Sequence, residues 1–401
     1  MNLKKIAKLY IPSVLCFNSY LVDKRVPTRP LENRQDNFKD LYDYGVIFCD
    51  IFYDEFEHKI HAIGAPFTQK KDLLYKNITL KHNINSKNIS IMKINFNFSS
   101  VNISTKYLDR ASHYELLYTS FFKPRVLEFC NYGSFVYNKI NDIYKWGGVV
   151  NYLKDKRVII TMSKDNRLTW IKDFCNFYKI IHKADAIVIY DNCSDDYSSQ
   201  ELLEYLEQNI DMSVVVVRWP VPYGPGSFNK SPWDSDYSQY CMFEHAKYSF
   251  LKYAKSILNV DIDELVISYN NRSIFEEAEL SKEPIYFDGQ WVENTAINCN
   301  YSYKDLLYIN INSPRTATKW CICPSNIKNI DLNDIQYRVH DHLNLKTKKS
   351  LKNKLNNNYE IRHFKGITNG WKYSSRLLKS NEENLKKCNV LHNLYTKLMW
   401  I

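Results

Sequence analysis

The stretch from Ile257 to Ile267, reading ILNVDIDELVI, constrains this chain more than any other. It has the apolar density of a buried strand, and burying carboxylates in such a strand costs free energy unless something pairs with them. Asp261 and Asp263 are two apart, so on a strand both side chains leave the same face. Two like charges held together raise each other's pKa unless a cation neutralises them. A divalent metal with hard oxygen ligands, Mg²⁺ or Mn²⁺, meets that need and leaves positions open for phosphate oxygens.

The segments around this stretch read as alternating strands and helices. Val158 to Met162, Ala186 to Tyr190 and Val214 to Trp219 are short apolar runs. Between them Trp170 to Ile181 and the segment through Leu202, Leu203, Tyr205 and Leu206 carry helical periodicity, and a further helix is expected from Tyr237 to Tyr253. Continuously apolar strands alternating with helices predict a parallel sheet covered on both faces, an α/β fold that binds ligands beyond the carboxyl ends of its strands. Residues 1–150 instead contain strand-like runs, Gly45 to Tyr53 and the alternating Ile89 to Phe98, and read as a β-rich N-terminal module of unknown role. The expected division is 1–150, an α/β domain over 151–345, and a basic segment over 346–401.

That last segment holds thirteen Lys or Arg and three Glu, which accounts for the whole net charge of +10. It suits diphosphate, an anionic membrane surface or nucleic acid, or is a solvated basic face. From Arg376 onward Leu377, Leu378, Leu385, Leu391, Leu394 and Leu398 fall near one helical face, expected either to dock on the protein's own core or to lie on a bilayer. No run of about 18 apolar residues occurs, so no transmembrane helix is expected. The N-terminal apolar run is short and interrupted by Pro12, so no signal peptide is expected either. The ten cysteines form no CxxC pair, which suits a reduced, cytoplasmic protein. Cys321 and Cys323 with Cys299 lack a fourth ligand for zinc. The 31 Tyr and 8 Trp offer faces for sugar rings or fill ordinary cores.

Three strand ends carry polar groups in order. Thr161 to Asn166, with Lys164, offers backbone N–H groups and an ammonium to a nucleotide. Tyr190-Asp191-Asn192-Cys193-Ser194-Asp195-Asp196 places carboxylates where a base or ribose could be held, although such residues also terminate strands. Asp261-Ile262-Asp263 follows about 70 residues later. With Asp236 to Cys241, Val260 to Glu264, Lys319 to Pro324 and Ile361 to Phe364, these segments resemble a GT-A glycosyltransferase, most similar to glycosyltransferase family 92 (DUF23) and more distantly to family 2. The resemblance covers roughly half the chain, Val158 to Lys372.

The resemblance implies a Rossmann-like nucleotide-sugar-binding domain in which Asp191 and Asn192 hold the nucleoside, with Lys164 and Asp196 nearby. Asp261 and Asp263 would hold Mn²⁺ or Mg²⁺ on the diphosphate, Glu264 would orient them, and the late His363 would complete the metal shell. His363 has an alternative reading as a hydrogen-bonded structural histidine, and His340 and His342 compete with it. Arg362 and Lys365 would add positive charge at the phosphates. An inverting transfer also needs a general base, for which Asp288 and Glu293 are candidates, with Trp291 as a sugar-stacking face. Asp234 and Asp236 follow a Pro- and Gly-rich loop, Pro220 to Pro232, which reads as a lid or a rigid turn. The implied activity moves a sugar, UDP-linked, to a glycan or lipid-linked glycan acceptor in bacterial surface polysaccharide or lipopolysaccharide synthesis. The expected location is cytoplasmic, in peripheral contact with the inner face of an anionic membrane, and no nucleic-acid partner is expected. The rival readings are a nucleotidyltransferase using the same acidic site, and a noncatalytic carbohydrate- or nucleic-acid-binding protein.

Overall fold

Strands that are apolar at every position need cover on both faces, and here they receive it: Val158, Ile159, Ile160, Ile187, Val188, Val214 and Val216 are all fully buried. A computed structural model of the chain describes residues 5–16, 27, 29–54, 56–57, 59–65, 78–82, 94–95, 103–107, 112–117, 126–131, 134–141, 152–225, 237–296, 300–370, 376, 378–380 and 384–398. The chain divides into two units. One comprises Met1–Tyr10, Leu153–Arg218 and Tyr253–Ile401, and the other Ile11–Tyr152 and Trp219–Lys252. The N-terminal module of the sequence reading therefore cedes its first ten residues to the α/β unit. It gains a later segment that carries the helix Tyr237–Ser249.

The α/β unit is built on β1 (Ala7–Tyr10), β2 (Arg157–Ser163), α1 (Leu168–His182), β3 (Ala186–Asp191), α2 (Ser199–Asn209), β4 (Ser213–Arg218) and β5 (Ser256–Asn259). Then come β6 (Glu264–Ser268), α3 (Ile274–Leu280), β7 (Ile285–Phe287), β8 (Gly289–Val292), β9 (Tyr308–Asn310) and β10 (Lys319–Ile322). The short β11 (Ile335–Tyr337) and β12 (His342–Asn344) pair with each other, and β13 (Tyr359–Phe364), β14 (Leu385–Lys387) and α4 (Asn389–Lys397) complete the unit.

Its main sheet runs in the order β1-β4-β3-β2-β5-β10-β7. The first five are mutually parallel, and β10 enters antiparallel between β5 and β7. β2 is the point where the order reverses, with β3 on one side and β5 on the other. A crevice for ligands opens at such a point, at the carboxyl edge. Residues of α1, α2 and α3 form one core with Ile159, Ile187, Ile189, Val214, Val216 and Leu258. Each such side chain contributes about 1.5–3 kcal/mol when fully buried. Ser198 and Glu201 close a capping box that starts α2: Ser198 Oγ accepts from the Glu201 N–H, and Glu201 accepts from the Ser198 N–H at 2.7 Å. Lys183, at φ 60°, ends α1 in the left-handed region.

A second sheet, in the order β6-β13-β8-β9-β14, lies after the Asp261 turn. In it Glu264 pairs with His363, and His363 with Trp291, so these three stand in one row across adjacent strands. Gly289 permits this pairing, because a Cβ there would meet the Ile361 carbonyl oxygen at 1.9 Å. The C-terminal leucines do not form one long helix from Arg376. Leu385 lies in β14, Leu378 is exposed, and only α4 with its end docks, burying Leu391, Tyr395 and Leu398 in the core of its own unit. Leu377, Cys299, Asp234 and Asp236 lie outside the described residues, as do most of Pro220 to Pro232 and all of Ile89 to Phe98 except Ile94 and Asn95. Cys321 is buried in β10 as a packing residue. Among the described residues no helix is long and apolar enough to cross a membrane.

The other unit holds a four-stranded antiparallel sheet, Asp50–Asp54, Lys59–Gly64, Ser112–Leu117 and Ile103–Tyr107 in that spatial order. A second sheet joins Ser134–Asn141, Val126–Asn131, Ile78–His82 and Ile94–Asn95. Every residue of the helix Tyr237–Ser249 is buried, including Glu244 and His245. His245 meets Asp50 there, Nε2 to Oδ2 at 2.8 Å.

Candidate active site

The acidic stretch is not one strand. Asp261-Ile262-Asp263 is a tight turn between β5 of the main sheet and β6 of the second sheet, closed by the Glu264 N–H donating to the Asp261 carbonyl at 3.0 Å. The two aspartates therefore do not share a strand face. They meet different cations. Asp261 Oδ2 lies 2.6 Å from Nζ of Lys319, whose side chain is 1% exposed, and Lys319 also reaches Glu264 at 3.3 Å. Asp263 Oδ2 lies 2.9 Å from His363 Nε2 and 3.3 Å from an Arg376 guanidinium nitrogen. Glu264 stands behind the histidine, 3.4 Å from Nδ1, and accepts from the Asp261 N–H at 2.9 Å. Tyr303 pins the turn by donating to the Ile262 carbonyl.

Burial and charge set the protonation of this cluster. Burial pushes the Glu264 carboxyl up to about 7 against the pull of Lys319. Asp261 is held below its usual range: desolvation opposes ionisation, but the Lys319 ammonium outweighs it. Lys319 is held well above its usual range by Asp261 and Glu264 despite its own burial. His363 loses by desolvation and gains more from Asp263, so its pKa is raised. The His363 ring stacks on Trp291 with centroids 4.1 Å apart, and Arg376 lies 5.0 Å from the centre of the same indole. The indole therefore already holds two members of the site, where the sequence suggested a sugar-stacking face.

A metal can be tested against these donors. Two neighbouring ligands on an octahedral ion with bonds of about 2.1 Å stand about 3.0 Å apart. Asp263 Oδ2 and His363 Nε2, at 2.9 Å, match that spacing, and a carboxylate behind the histidine is the usual support for a metal-bound imidazole. Asp261 does not join them. Its Oδ2 is engaged by Lys319, and Asp261, Asp263 and His363 do not bring three ligand atoms together. The pair Asp263/His363, hydrogen-bonded to each other here, could supply two ligands to such an ion.

A second group of predicted residues gathers at the ends of β2 and β3. Asp191 is buried and accepts from Ser199 Oγ and, at 3.2 Å, from the Ser194 N–H. Asn192 is buried, and its N–H donates to the Ser163 carbonyl at 2.8 Å. Lys164 binds the Cys193 carbonyl and reaches Asp195 at 3.1 Å and Asp165 at 3.5 Å. Asp196 is exposed, and its N–H donates to Asp165 Oδ1 at 3.1 Å. Asn369, just past β13, donates to the carbonyls of Lys164 and Asp165 at 3.3 and 3.2 Å, tying this loop to the second sheet.

The remaining candidates separate by strand face. Lys365 lies 6.0 Å from the Trp291 ring centre and donates to both oxygens of Glu293, at 2.7 and 2.8 Å. Glu293 also accepts from Ser380 at 2.5 Å and Ser313 at 3.4 Å, so both its oxygens are engaged. Arg362 does not reach the acidic turn. Adjacent to His363 on β13, it points to the opposite face, where it pairs with Glu360 at 2.7 Å and donates to Tyr269 at 2.9 Å. Asp288 is likewise elsewhere, bound by Arg315, which also holds Glu360. His342 is a packing residue beside Trp320 and Tyr286, whereas His340 is held by the Thr318 carbonyl at 2.9 Å.

Lys319, though part of the Lys319 to Pro324 segment that carries the resemblance, and Arg376 were given no role in the site from sequence. Lys319 had a signal, a lysine heading the apolar run Trp320 to Ile322. Arg376 had none.

No protein-family model matches the chain, and no curated protein matches it. Among solved structures the chain is similar to S. aureus TarS 1–349, at 13% identity and a TM-score of 0.24, over 36% of this chain and 38% of that one. It is also similar to S. aureus TarS 1–349 in complex with UDP, at 14% identity and a TM-score of 0.23, over the same shares. The chain thus spans 38% of the length of the solved structures it matches.

Proposed function

We propose that this chain is a GT-A glycosyltransferase that moves a sugar from a nucleotide-sugar donor, UDP-linked, to a glycan acceptor with inversion. The observation that carries the reading is the pair Asp263 and His363, 2.9 Å apart beyond the carboxyl end of β5, beside the strand where the sheet order reverses. The nucleoside lies against Asp191, Asn192 and the Lys164 loop. The diphosphate lies toward Asp263, where Arg376 and Lys365 supply positive charge. A Mn²⁺ or Mg²⁺ ion held by Asp263 and His363 would stabilise the charge that develops on the departing diphosphate.

Lys319 keeps Asp261 ionised and fixes the turn, so its part is positioning. Of the two carboxylates considered as general base, Glu293 lies beside the Trp291 row and Asp288 does not. In this reading Lys365 exchanges Glu293 for a donor phosphate oxygen, which frees the carboxylate to accept the acceptor hydroxyl's proton. The acceptor is a glycan, lipid-linked when the basic C-terminal segment contacts an anionic membrane, in bacterial surface polysaccharide or lipopolysaccharide synthesis.

Calorimetric titration of the protein with UDP, with and without Mn²⁺, tests the reading. Metal-dependent binding that weakens at least tenfold in Asp263→Asn is expected. Absence of binding to UDP, GDP, CDP and ADP alike would sink the transferase assignment.

A further inference from the structure

The hairpin Asp50–Asp54/Lys59–Gly64 in the other unit carries a set of carboxylates and imidazoles for which the transfer reaction has no use. Asp54 ends the first strand, and its two oxygens have different partners. Oδ1 accepts from the N–H groups of Phe56 at 2.8 Å and Glu57 at 3.2 Å, which turns the chain. Oδ2 lies 3.8 Å from His61 Nε2 and 3.3 Å from Lys252 Nζ. Glu57 shares Lys252 and lies 3.1 Å from Lys59. One ligand atom from each of Asp54, Glu57 and His61 falls within 4.8 Å of the others.

The protons on the imidazoles follow from the far end of a buried chain. His113 Nδ1 lies 2.8 Å from Glu244 Oε1, and His113 Nε2 lies 2.8 Å from His61 Nδ1. A carboxylate can only accept, so His113 carries its proton on Nδ1 and offers Nε2 as an acceptor. A neutral His61 then carries its proton on Nδ1, leaving a lone pair on Nε2. That atom is buried with no hydrogen-bond partner among the described residues, in a side chain that is 0% exposed. It faces a carboxylate oxygen at 3.8 Å, which is too far for a hydrogen bond. With the ring neutral, Nε2 and Oδ2 are two acceptors facing each other across a gap that a cation can bridge, and Lys252 Nζ already stands 3.3 Å from the carboxylate side of it. Two ligand bonds of about 2.1 Å span that gap at roughly 130°. Phe52 and Tyr248 stack on the His61 ring, at 5.1 and 5.0 Å, and keep it aimed.

We propose that Asp54, Glu57 and His61 form a divalent-cation site, with His113 and Glu244 as the support that fixes the His61 tautomer. Two carboxylate oxygens and one imidazole nitrogen suit Zn²⁺ and leave a coordination position for water. Lys252, whose side chain is 15% exposed on a flexible stem, is the ammonium that balances the carboxylates when no ion is bound and swings out when one is.

The test is Zn²⁺ titration of the full chain against a chromophoric chelator, in an Asp263→Asn background that disables the other metal pair. One Zn²⁺ per chain is expected, bound at least about tenfold more weakly after Glu57→Gln. Lys252→Met removes the competing charge and is expected to tighten binding several-fold, a gain that a misfolded variant cannot mimic. The proposal is overturned if the Asp263→Asn protein retains no Zn²⁺, if Glu57→Gln binds it as tightly, or if Lys252→Met binds it no more tightly.

Discussion

Replacing Glu264 with glutamine isolates the cost of one buried carboxylate. The Glu264 side chain is 2% exposed, and burial raises its pKa from 4.5 to about 7 even with Lys319 3.3 Å away. Between those two values the folded chain holds a proton that the unfolded chain has released. Stability is therefore full below about pH 4.5, falls as the pH rises, and levels off above about 7. At 1.36 kcal/mol per pH unit, the gap amounts to about 3 kcal/mol. Glutamine keeps the shape and, through its oxygen, the acceptor for the Asp261 N–H, but it cannot ionise. The expected outcome is that wild type loses about 3 kcal/mol relative to Glu264→Gln between pH 4 and 8. Urea denaturation of both proteins at unit pH steps measures it, since most other titrating groups cancel in the difference. A difference that stays constant across the range, or that favours wild type as pH rises, refutes the argument.

Three further outcomes follow from the same geometry. Lys319→Met strands Asp261 and Glu264 and is expected to cost about 3 kcal/mol at pH 8, shrinking toward pH 6 as Glu264 takes up a proton, read by urea denaturation. Gly289→Ala drives a Cβ into the Ile361 carbonyl and should cost about 1–3 kcal/mol while separating Trp291 from His363, visible as a lowered thermal midpoint and weakened Mn²⁺-assisted UDP binding. Because Asp263 raises the His363 pKa and the metal needs the neutral imidazole, Mn²⁺ affinity should fall about tenfold per pH unit once the pH drops below that raised value, measured by calorimetry in the presence of UDP.

The sheet strands and α1, α2 were legible because their signals are local. Val158 to Met162 and Trp170 to Ile181 lie inside the observed β2 and α1, each short of the observed bounds by a residue or two. The acidic stretch misled for a physical reason. Ile262 is 2% exposed, so the apolar character runs unbroken through the turn, and periodicity cannot register that the flanking strands belong to different sheets. The site's composition was half legible. Asp261, Asp263 and His363 do cluster, but the cation at Asp261 is Lys319, and which face of β13 holds a residue separates His363 from Arg362. Arg376 meets Asp263 across 113 residues of sequence, a distance over which no local pattern speaks.

β1 has a consequence for how the chain is made. Ala7 to Tyr10 pair with Val214 to Val217, so the edge strand is synthesised 207 residues before its partner. At about 5–20 residues per second, that partner emerges roughly 10–40 s later, and the Ile11–Tyr152 segment of the other unit is translated in between. Nascent Ala7–Tyr10 must wait through that interval without a strand to join. A fragment that begins after Tyr10 would present the bare edge of Val214–Val217, four valines in a row, to any neighbouring polypeptide. Ala7–Tyr10 thus protect an aggregation-prone edge, and a recombinant version that omits them as part of a dispensable tail is expected to express as inclusion bodies.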